Sequence, residues 1–546
     1  MTQEQFDALV RRLKKQAEKN PRLYKLRVVL LAALGYGYIF FILALLLTVI
    51  GCIIGIERWL VTEGSHLRPV ILVGQAGLAV LAFLYIILES LWIRLTPPSG
   101  LALGREQTGP LFQALRELRG ILRLPKIHRI LLTEEFNAGV LQVPRLGVFG
   151  WQKNYLLVGL PLLQALSPEQ FRAVLAHELG HLWGAHSRLA GWLYRVRQTW
   201  RELIQSLAAE RHWGAFVFRD FFSWYVPFFN AYSFVQARAQ EYEADRGAAR
   251  WVGAATAADT LISLELKGTY LHAIFYPGFY KRAEHQAEPP ATFFTEMAQA
   301  LGAPLGPGAA RQWLNQVLAM KTDNVDTHPC LTDRLAALGQ AAHIPPPAAV
   351  TAAEHFLGAA LEEQTRKLTR VWQGQIDSKW RGLHKDLVHF RQKRAALDAK
   401  AQAGPLTPEE ACERAALHEQ AYGPEAAVPL YQELLRVHPG HAPAHFALGR
   451  ILLVQGRPEG ADALEKAMAL DVDCVPPACE ELFKFWIGRG DDQKAHEYRH
   501  RAERHGEWLQ KAQAERSQLS AADTFLPHQL PCDQIERLQK QLSQFW

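Results

Sequence analysis

The chain has 546 residues, of which 49% are hydrophobic, and carries a formal net charge of +6 from 60 Lys and Arg against 54 Asp and Glu. This length provides for several domains, and the modest charge argues against a nucleic-acid-binding protein. The six cysteines lack paired metal-ligand spacing and argue against a disulfide framework. We find no Ser/His/Asp triad pattern, phosphate-binding glycine loop or nucleic-acid module.

Two apolar runs near the N-terminus predict a transmembrane hairpin. Residues 28–56 are uninterrupted, and residues 69–93 are broken only by Gln75 and Glu89. Each run exceeds the roughly 20 residues that a bilayer-spanning helix needs. Both are too long, and the first lies too far from the start, for a cleavable signal peptide.

Basic residues on either side of the two runs predict their orientation. A basic cluster precedes the first run, Arg94 and Arg105 follow the second, and the connecting loop holds only Arg58 and Arg68. The cluster consists of Arg11, Arg12, Lys14, Lys15, Lys19, Arg22, Lys25 and Arg27. The positive-inside rule therefore places both termini on the cytoplasmic side, with the cluster near anionic lipid.

Three short β-type segments follow the hairpin, at residues 129–132, 140–143 and 155–158. Turn residues between 144 and 150 suit a hairpin between the second and third segments. A small sheet of this kind could offer an exposed edge to an extended peptide substrate. We therefore predict that Asn137, Ala138 and Gly139 bind substrate.

The next segment reads as a helix that contains His177-Glu178-Leu179-Gly180-His181. Ser167, Pro168 and Gln170 form a helix-start signal just upstream. An HExxH sequence on a helix places two imidazoles one turn apart, where both can bind one Zn²⁺ beside the intervening Glu. We predict His177 and His181 as metal ligands and Glu178 as the catalytic base.

A third protein ligand is expected from a later helical segment. Glu241 and Asp245 lie one turn apart and share a face, whereas Glu243 points roughly the opposite way. One of the two can bind the metal while the other hydrogen-bonds a ligand imidazole. We predict Glu241 as the ligand and Asp245 as the hydrogen-bonding partner. The alternative extension through His186 fails because Ser187 stands where that pattern requires His.

Together these motifs resemble the gluzincin membrane endopeptidases that include HtpX and the CAAX prenyl proteases. In that family the HExxH helix is preceded by an Asn-Ala strand and followed by a Glu-x-x-Ala-Asp helix and a His-Pro…Arg segment. The matching residues are Asn137 and Ala138, then Glu241, Ala244 and Asp245, then His328, Pro329 and Arg334. The resemblance covers about residues 98–338. It implies that His328 lies in the cleft and stabilises the oxyanion, and that Arg334 holds its segment in place.

This chain departs from the better-known members in having only two clear spans and a long C-terminal extension. An aromatic stretch at residues 221–234 could be a third span, but Pro227 and the preceding Arg219 and Asp220 favour an interfacial or cleft-covering helix. Because this chain departs from the better-known members in its spans, a prenylated substrate is not expected. The identity of the protein substrate stays open.

Beyond residue 345 the chain is rich in helix-forming residues, and a period near 34 appears between residues 407 and 505. Ala427, Ala461 and Ala495 fall in register, as do Gly456 and Gly490. This spacing resembles tetratricopeptide repeats, which bind a peptide or protein in a concave groove. The alternative is a generic helical extension.

We therefore predict a mainly α protein with an α+β catalytic domain. It comprises a two-span hairpin, a zincin-like metallopeptidase domain with a small β-sheet, and a C-terminal helical repeat domain. The predicted segments are a basic N-terminus at 1–27, spans at 28–56 and 69–93, a peptidase domain at 97–345, a connector at 346–404, repeats at 405–510 and a tail at 511–546.

The predicted activity is hydrolysis of membrane or misfolded proteins with one Zn²⁺ per chain. The bound Zn²⁺ would activate a water, Glu178 would take its proton, and His328 would stabilise the oxyanion. The expected location is a bacterial inner membrane with the catalytic and repeat domains in the cytoplasm. The expected partners are protein substrates, the lipid bilayer and a protein bound by the repeats, and no nucleic acid. Two alternatives are a catalytically silent repeat adaptor and an exopeptidase.

Overall fold

The structure is a computed structural model that describes residues 3–63, 67–91, 97–106, 108–122, 126–145, 152–183, 196–197, 199–201, 203, 215–324 and 327–519. His186, Ser187, Arg94 and the end of the predicted tail lie outside the described residues. The first helices are α1 Gln3–Lys19, α2 Pro21–Thr62, α3 Leu67–Leu91 and α4 Gly109–Leu122. The strands are β1 Leu101–Ala102, β2 Arg129–Thr133, β3 Ala138–Pro144 and β4 Gln152–Gly159.

The remaining helices follow the sheet. Those of the catalytic region are α5 Leu160–Ala165, α6 Pro168–Trp183, α7 Ala215–Val252, α8 Ala254–Tyr270, α9 Tyr276–Tyr280, α10 Phe293–Gly302, α11 Pro307–Ala319 and α12 Leu331–Leu338. Those of the C-terminal region are α13 Ala352–Leu357, α14 Leu361–Ala403, α15 Pro408–Tyr422, α16 Pro424–Val437, α17 Ala442–Val454, α18 Glu459–Leu470, α19 Val475–Gly488 and α20 Asp492–Leu519. This is the mainly helical fold with a small sheet that the sequence predicts.

The chain forms two compact units. One consists of Met1–Tyr280 and Pro290–Ile376, and the other of Lys281–Pro289 and Asp377–Trp546. Helix α14 contributes to both units, so the boundary falls inside the predicted connector. The predicted domain limits stay predictions.

Two helices of the described residues have the length and composition of membrane spans. Within Pro21–Thr62 and Arg68–Glu89, an 18-residue window reaches a mean hydropathy of 3.0 and 2.4, respectively. A core helix of a soluble protein would be mostly buried, whereas only 6% of each apolar window is buried here. Helix α2 is longer than predicted because it continues through the expected loop to Thr62.

The first half of α7 packs antiparallel against the first half of α2. Tyr24 donates a hydrogen bond to the carbonyl of Tyr232, Tyr225 to that of Leu31, and Tyr38 to that of Val217. These pairs run in opposite chain directions at matching intervals. Buried aromatic side chains of α7, namely Phe218, Phe222, Tyr225 and Phe229, fill the contact. The predicted aromatic segment is therefore one part of a continuous helix that also carries Glu241.

The four strands form one mixed sheet in the order β1-β2-β4-β3. β3 and β4 pair antiparallel as the sequence predicts, whereas β2 pairs parallel with β4. Among the described strands, β3 has a partner on one side only. The fully buried Phe171, Leu175 and Leu179 of α6 lie in the protein core close to this sheet.

Six of the C-terminal helices form three consecutive pairs, α15–α16, α17–α18 and α19–α20. Gly456 and Gly490, which lie two residues after the first helices of the second and third pairs, both have φ of 74°. Left-handed backbone of this kind favours glycine. The helical nature of the extension is confirmed, and its assignment to tetratricopeptide repeats stays a prediction.

Candidate metal centre

Helix α6 begins as its sequence predicts. Gln170 N donates to Ser167 Oγ at 3.2 Å, and Ser167 N donates to Gln170 Oε1 at 3.0 Å. This reciprocal cap fixes the helix start, so that His177 and His181 follow on one face. Their Nε2 atoms lie 3.2 Å apart.

Helix α7 crosses α6 beside the two histidines. A methyl group placed on Gly180 would meet Ala244 Cα at 3.7 Å, so the two helices are in van der Waals contact there. This contact brings Glu241 to the imidazoles. Its Oε2 lies 3.4 Å from His177 Nε2, and its Oε1 lies 3.7 Å from His181 Nε2.

Asp245 and Arg334 support this cluster from behind. His177 Nδ1 lies 2.9 Å from Asp245 Oδ1, so with Nδ1 as the donor its Nε2 lone pair faces His181 and Glu241. Arg334 donates from Nε to Asp245 Oδ2 at 2.8 Å and from Nη2 to Oδ1 at 2.7 Å. This bidentate pair fixes the carboxylate that orients His177.

The donor atoms of His177, His181 and Glu241 fit a small divalent cation. They lie within 4.8 Å of one another. Zinc with ligands at 2.0–2.1 Å in tetrahedral geometry separates neighbouring ligands by about 3.3 Å, close to the spacings of 3.2 and 3.4 Å seen here. Within the described part of the chain, Glu241 Oε2 is also buried without a hydrogen bond. Burial of such an oxygen costs free energy unless a cation binds it.

Charges within the cluster shift its pKa values strongly. Burial lowers the pKa of His177, but its hydrogen bond with Asp245 and the nearby Glu241 carboxylate outweigh burial and raise that pKa to about 9. Burial and the neighbouring His177 charge lower the pKa of His181 to about 4. Burial would raise the pKa of Glu241, yet the surrounding histidines lower it to about 2. In the metal-free site His177 therefore keeps its second proton. A metal cation has to displace this proton to bind.

Glu178 is half-buried next to His177. Burial raises the pKa of its carboxyl group above the ordinary value, and the Glu241 charge adds to this rise. His177, His328 and Arg334 act in the opposite direction. A carboxylate with a raised pKa is a better proton acceptor near neutral pH.

His328 lies on the open side of the cluster. Its Nε2 is 3.3 Å from Glu241 Oε2, and 52% of its side chain is exposed. Its segment is fixed at Cys330, whose N–H donates to Thr322 Oγ1 at 2.8 Å. Arg334, on the helix that follows, joins the segment to Asp245.

Strand β3 starts at the predicted substrate-binding residues, and its register shows which backbone groups are free. Gly159 N donates to the carbonyl of Asn137 at 2.8 Å, and Ala138 pairs with Val158. Hydrogen-bonded and non-hydrogen-bonded residue pairs alternate along an antiparallel strand pair. The backbone groups of Asn137 and Gly139 therefore bond to β4, while those of Ala138 and Val140 point away from β4. Ala138 N is occupied by Asn137 Oδ1 at 2.8 Å. At the start of the strand the outward groups are therefore the Ala138 carbonyl and the N–H and carbonyl of Val140, a residue absent from the predicted set.

Residues 138–342 match the sequence model of peptidase family M48. This part of the chain is therefore similar to M48 peptidases. The match is consistent with the resemblance to HtpX and the CAAX proteases, and M48 peptidases are metal-dependent. The matched region contains the histidine helix, Glu241, Asp245, His328 and Arg334, and its first residue is Ala138. A comparison with curated protein sequences finds no match.

Proposed function

We propose that this protein is a membrane-anchored zinc endopeptidase that cleaves membrane or misfolded proteins. The observation that carries the proposal is the convergence of His177, His181 and Glu241, with Asp245 oriented by Arg334 behind them. A scaffold or adaptor has no physical need for Glu178 beside such a cluster. We therefore favour an enzyme over the adaptor alternative.

His177, His181 and Glu241 would hold Zn²⁺. Two imidazole nitrogens and a carboxylate leave a fourth position open, as catalytic zinc sites require. When bound, the metal would lower the pKa of a water molecule towards neutral pH, and it would also polarise the scissile carbonyl. Asp245 keeps His177 in the tautomer that directs Nε2 at the metal position.

Glu178 would act as the proton carrier. It accepts the proton of the attacking water and delivers it to the leaving amine. His328, with Nε2 on the open side of Glu241, would donate to the oxyanion that forms on the substrate carbonyl.

The substrate would bind as an added strand on β3. The Ala138 carbonyl and the Val140 N–H and carbonyl can pair with a peptide in extended conformation, and such pairing is independent of side-chain identity. This mode requires an unfolded or flexible segment. It therefore suits misfolded proteins and the tails of membrane proteins.

Helices α2 and α3 support a membrane anchor, and the basic N-terminus would lie on the cytoplasmic side of a bacterial inner membrane. Because α7 docks on α2 through three tyrosines, the ligand Glu241 would be held at a fixed height above the bilayer. The paired C-terminal helices would recruit a protein substrate or partner.

The proposal is tested by metal content and cleavage of an unfolded reporter protein in detergent. We expect about one zinc per chain and cleavage in the wild type. His181→Ala should lose both, whereas Glu243→Gln, on the same helix as Glu241 but outside the donor set, should keep both. A wild type that binds no zinc, or a His181→Ala variant that keeps zinc and activity, would overturn the proposal.

A further inference from the structure

One face of α8 and the turn after it line a concavity of about 540 Å³. The lining residues are Leu264, Glu265, Gly268, Thr269, His272 and Ala273. Glu265, Gly268, Thr269 and His272 are spaced three or four apart, which places them on one stripe of the helix. A π-helical turn, Leu271–Phe275, begins within this stripe. Such turns occur frequently at functional sites.

The concavity lies beside the proposed peptide path. A methyl group placed on Gly268 would meet the Phe136 ring at 3.7 Å, and Phe136 lies two residues before the start of β3. Glu265 also interacts electrostatically with His328 and Arg334. The stripe thus lies between the two segments that would flank the scissile bond, the β3 edge and the His328 segment.

Glu265 is the acidic group of this concavity. Its side chain is exposed, yet surrounding protein raises the pKa of its carboxyl group, as expected for a group inside a cleft. Within the described part of the chain its carboxylate forms no hydrogen bond or ion pair. Arg334 does not form an ion pair with Glu265, because its guanidinium is held in a bidentate pair with Asp245.

We propose that Glu265 is a specificity-determining residue that binds a Lys or Arg side chain of the substrate at a fixed position beside the scissile bond. The inference rests on the proposed endopeptidase function. The volume is sufficient for a long basic side chain, and Thr269 and His272 supply further polar groups along the same stripe. A charged donor gives a carboxylate a stronger hydrogen bond than a neutral donor does, and among the described residues Glu265 has no cationic partner of its own that would compete for it.

The experiment compares full-length, zinc-containing wild type with Glu265→Gln, Glu265→Lys and the control Glu362→Gln, an exposed acid on α14. Cleavage sites in an unfolded protein are mapped by mass spectrometry. A peptide with Lys beside the mapped bond, and the same peptide with Leu or Glu there, give kcat/KM. Binding of these peptides to a Glu178→Gln background gives a readout that does not need turnover.

We expect Lys or Arg enrichment at one position in the wild type and in Glu362→Gln. Glu265→Gln should lose the enrichment and bind the Lys peptide about tenfold or more weakly, the effect of losing one charged hydrogen bond. Glu265→Lys should prefer the Glu peptide. Cleavage without any basic preference would overturn this inference and leave the endopeptidase intact. Failure of the zinc-containing wild type to cleave any substrate would overturn both. Cleavage confined to free N-termini and abolished by acetylation would also overturn it, because Glu265 would then bind the terminal amine.

Discussion

The docking of α7 on α2 predicts a minimum distance between a membrane span and a cleavable bond. Tyr24 bonds to Tyr232, and Glu241 lies nine residues further along α7, about 14 Å at 1.5 Å per residue. Tyr24 itself lies four residues, or about 6 Å, before the apolar run that begins at Val28. The metal position is therefore about 20 Å, measured along the helix axes, from the level at which that run begins.

An extended chain covers about 3.3–3.6 Å per residue, so a tethered substrate needs about six residues between its own span and the bond that is cleaved. The assay uses proteoliposomes with single-span reporters that carry one cleavable sequence at spacings of two, four, six, eight and twelve residues. We expect little cleavage at two and four residues and a rise from six onward. A soluble unfolded substrate is the control, because its cleavage should not depend on tethering. Equal cleavage at two and twelve residues would refute the reasoning.

Four further predictions concern the protein itself. Gly35→Ala should lower the Tm by an amount equivalent to about 1–3 kcal/mol, because a Cβ atom there meets Tyr225 Oη at 2.8 Å. Gly37→Ala is the matched control, because a Cβ atom there has nothing within 4 Å, and its Tm should not fall in this way. Equal Tm values for the two variants would contradict the docking. Val140→Pro should fold but lose cleavage, because the N–H of Val140 faces the free edge of β3. Leu141→Pro should unfold the sheet, because the N–H of Leu141 bonds to β4. If circular dichroism shows that Val140→Pro unfolds and Leu141→Pro folds, the register is wrong. Asp245→Asn should weaken zinc binding about 10- to 100-fold in competition with a chelator, and unchanged affinity would remove Asp245 from the orienting role. The pKa of His177 is raised to about 9 in the metal-free site, so a proton competes with zinc below that pH. The apparent zinc affinity, measured by calorimetry, should rise from pH 6 to 9 and then level off. A zinc affinity that falls over this range would contradict the assignment of His177 as a ligand.

The local parts of the site could be predicted from sequence because each depends on short spacings. The cap at Ser167, the helical pair His177 and His181, and the shared face of Glu241 and Asp245 follow from helix periodicity alone. The strand pair of β3 and β4 follows from alternation and turn residues.

The remaining parts depend on tertiary packing. The parallel pairing of β2 with β4 and the continuation of the aromatic segment into the Glu241 helix carry no local signal, since Pro227 inside α7 argues for a break. Val140 could have been found only from the register of Asn137 and Gly159. Glu265 is an isolated acid in sequence, and its position beside Phe136 and His328 appears only in the folded chain.

The proposed role of Glu178 as the proton carrier of a zinc-dependent hydrolysis is tested by replacing its carboxylate with an amide. Purified wild type and Glu178→Gln are compared in detergent for zinc content and for cleavage of an unfolded reporter. We expect one zinc per chain in both and a loss of at least about 100-fold in cleavage for the variant. Substantial turnover by a zinc-containing Glu178→Gln protein would contradict it.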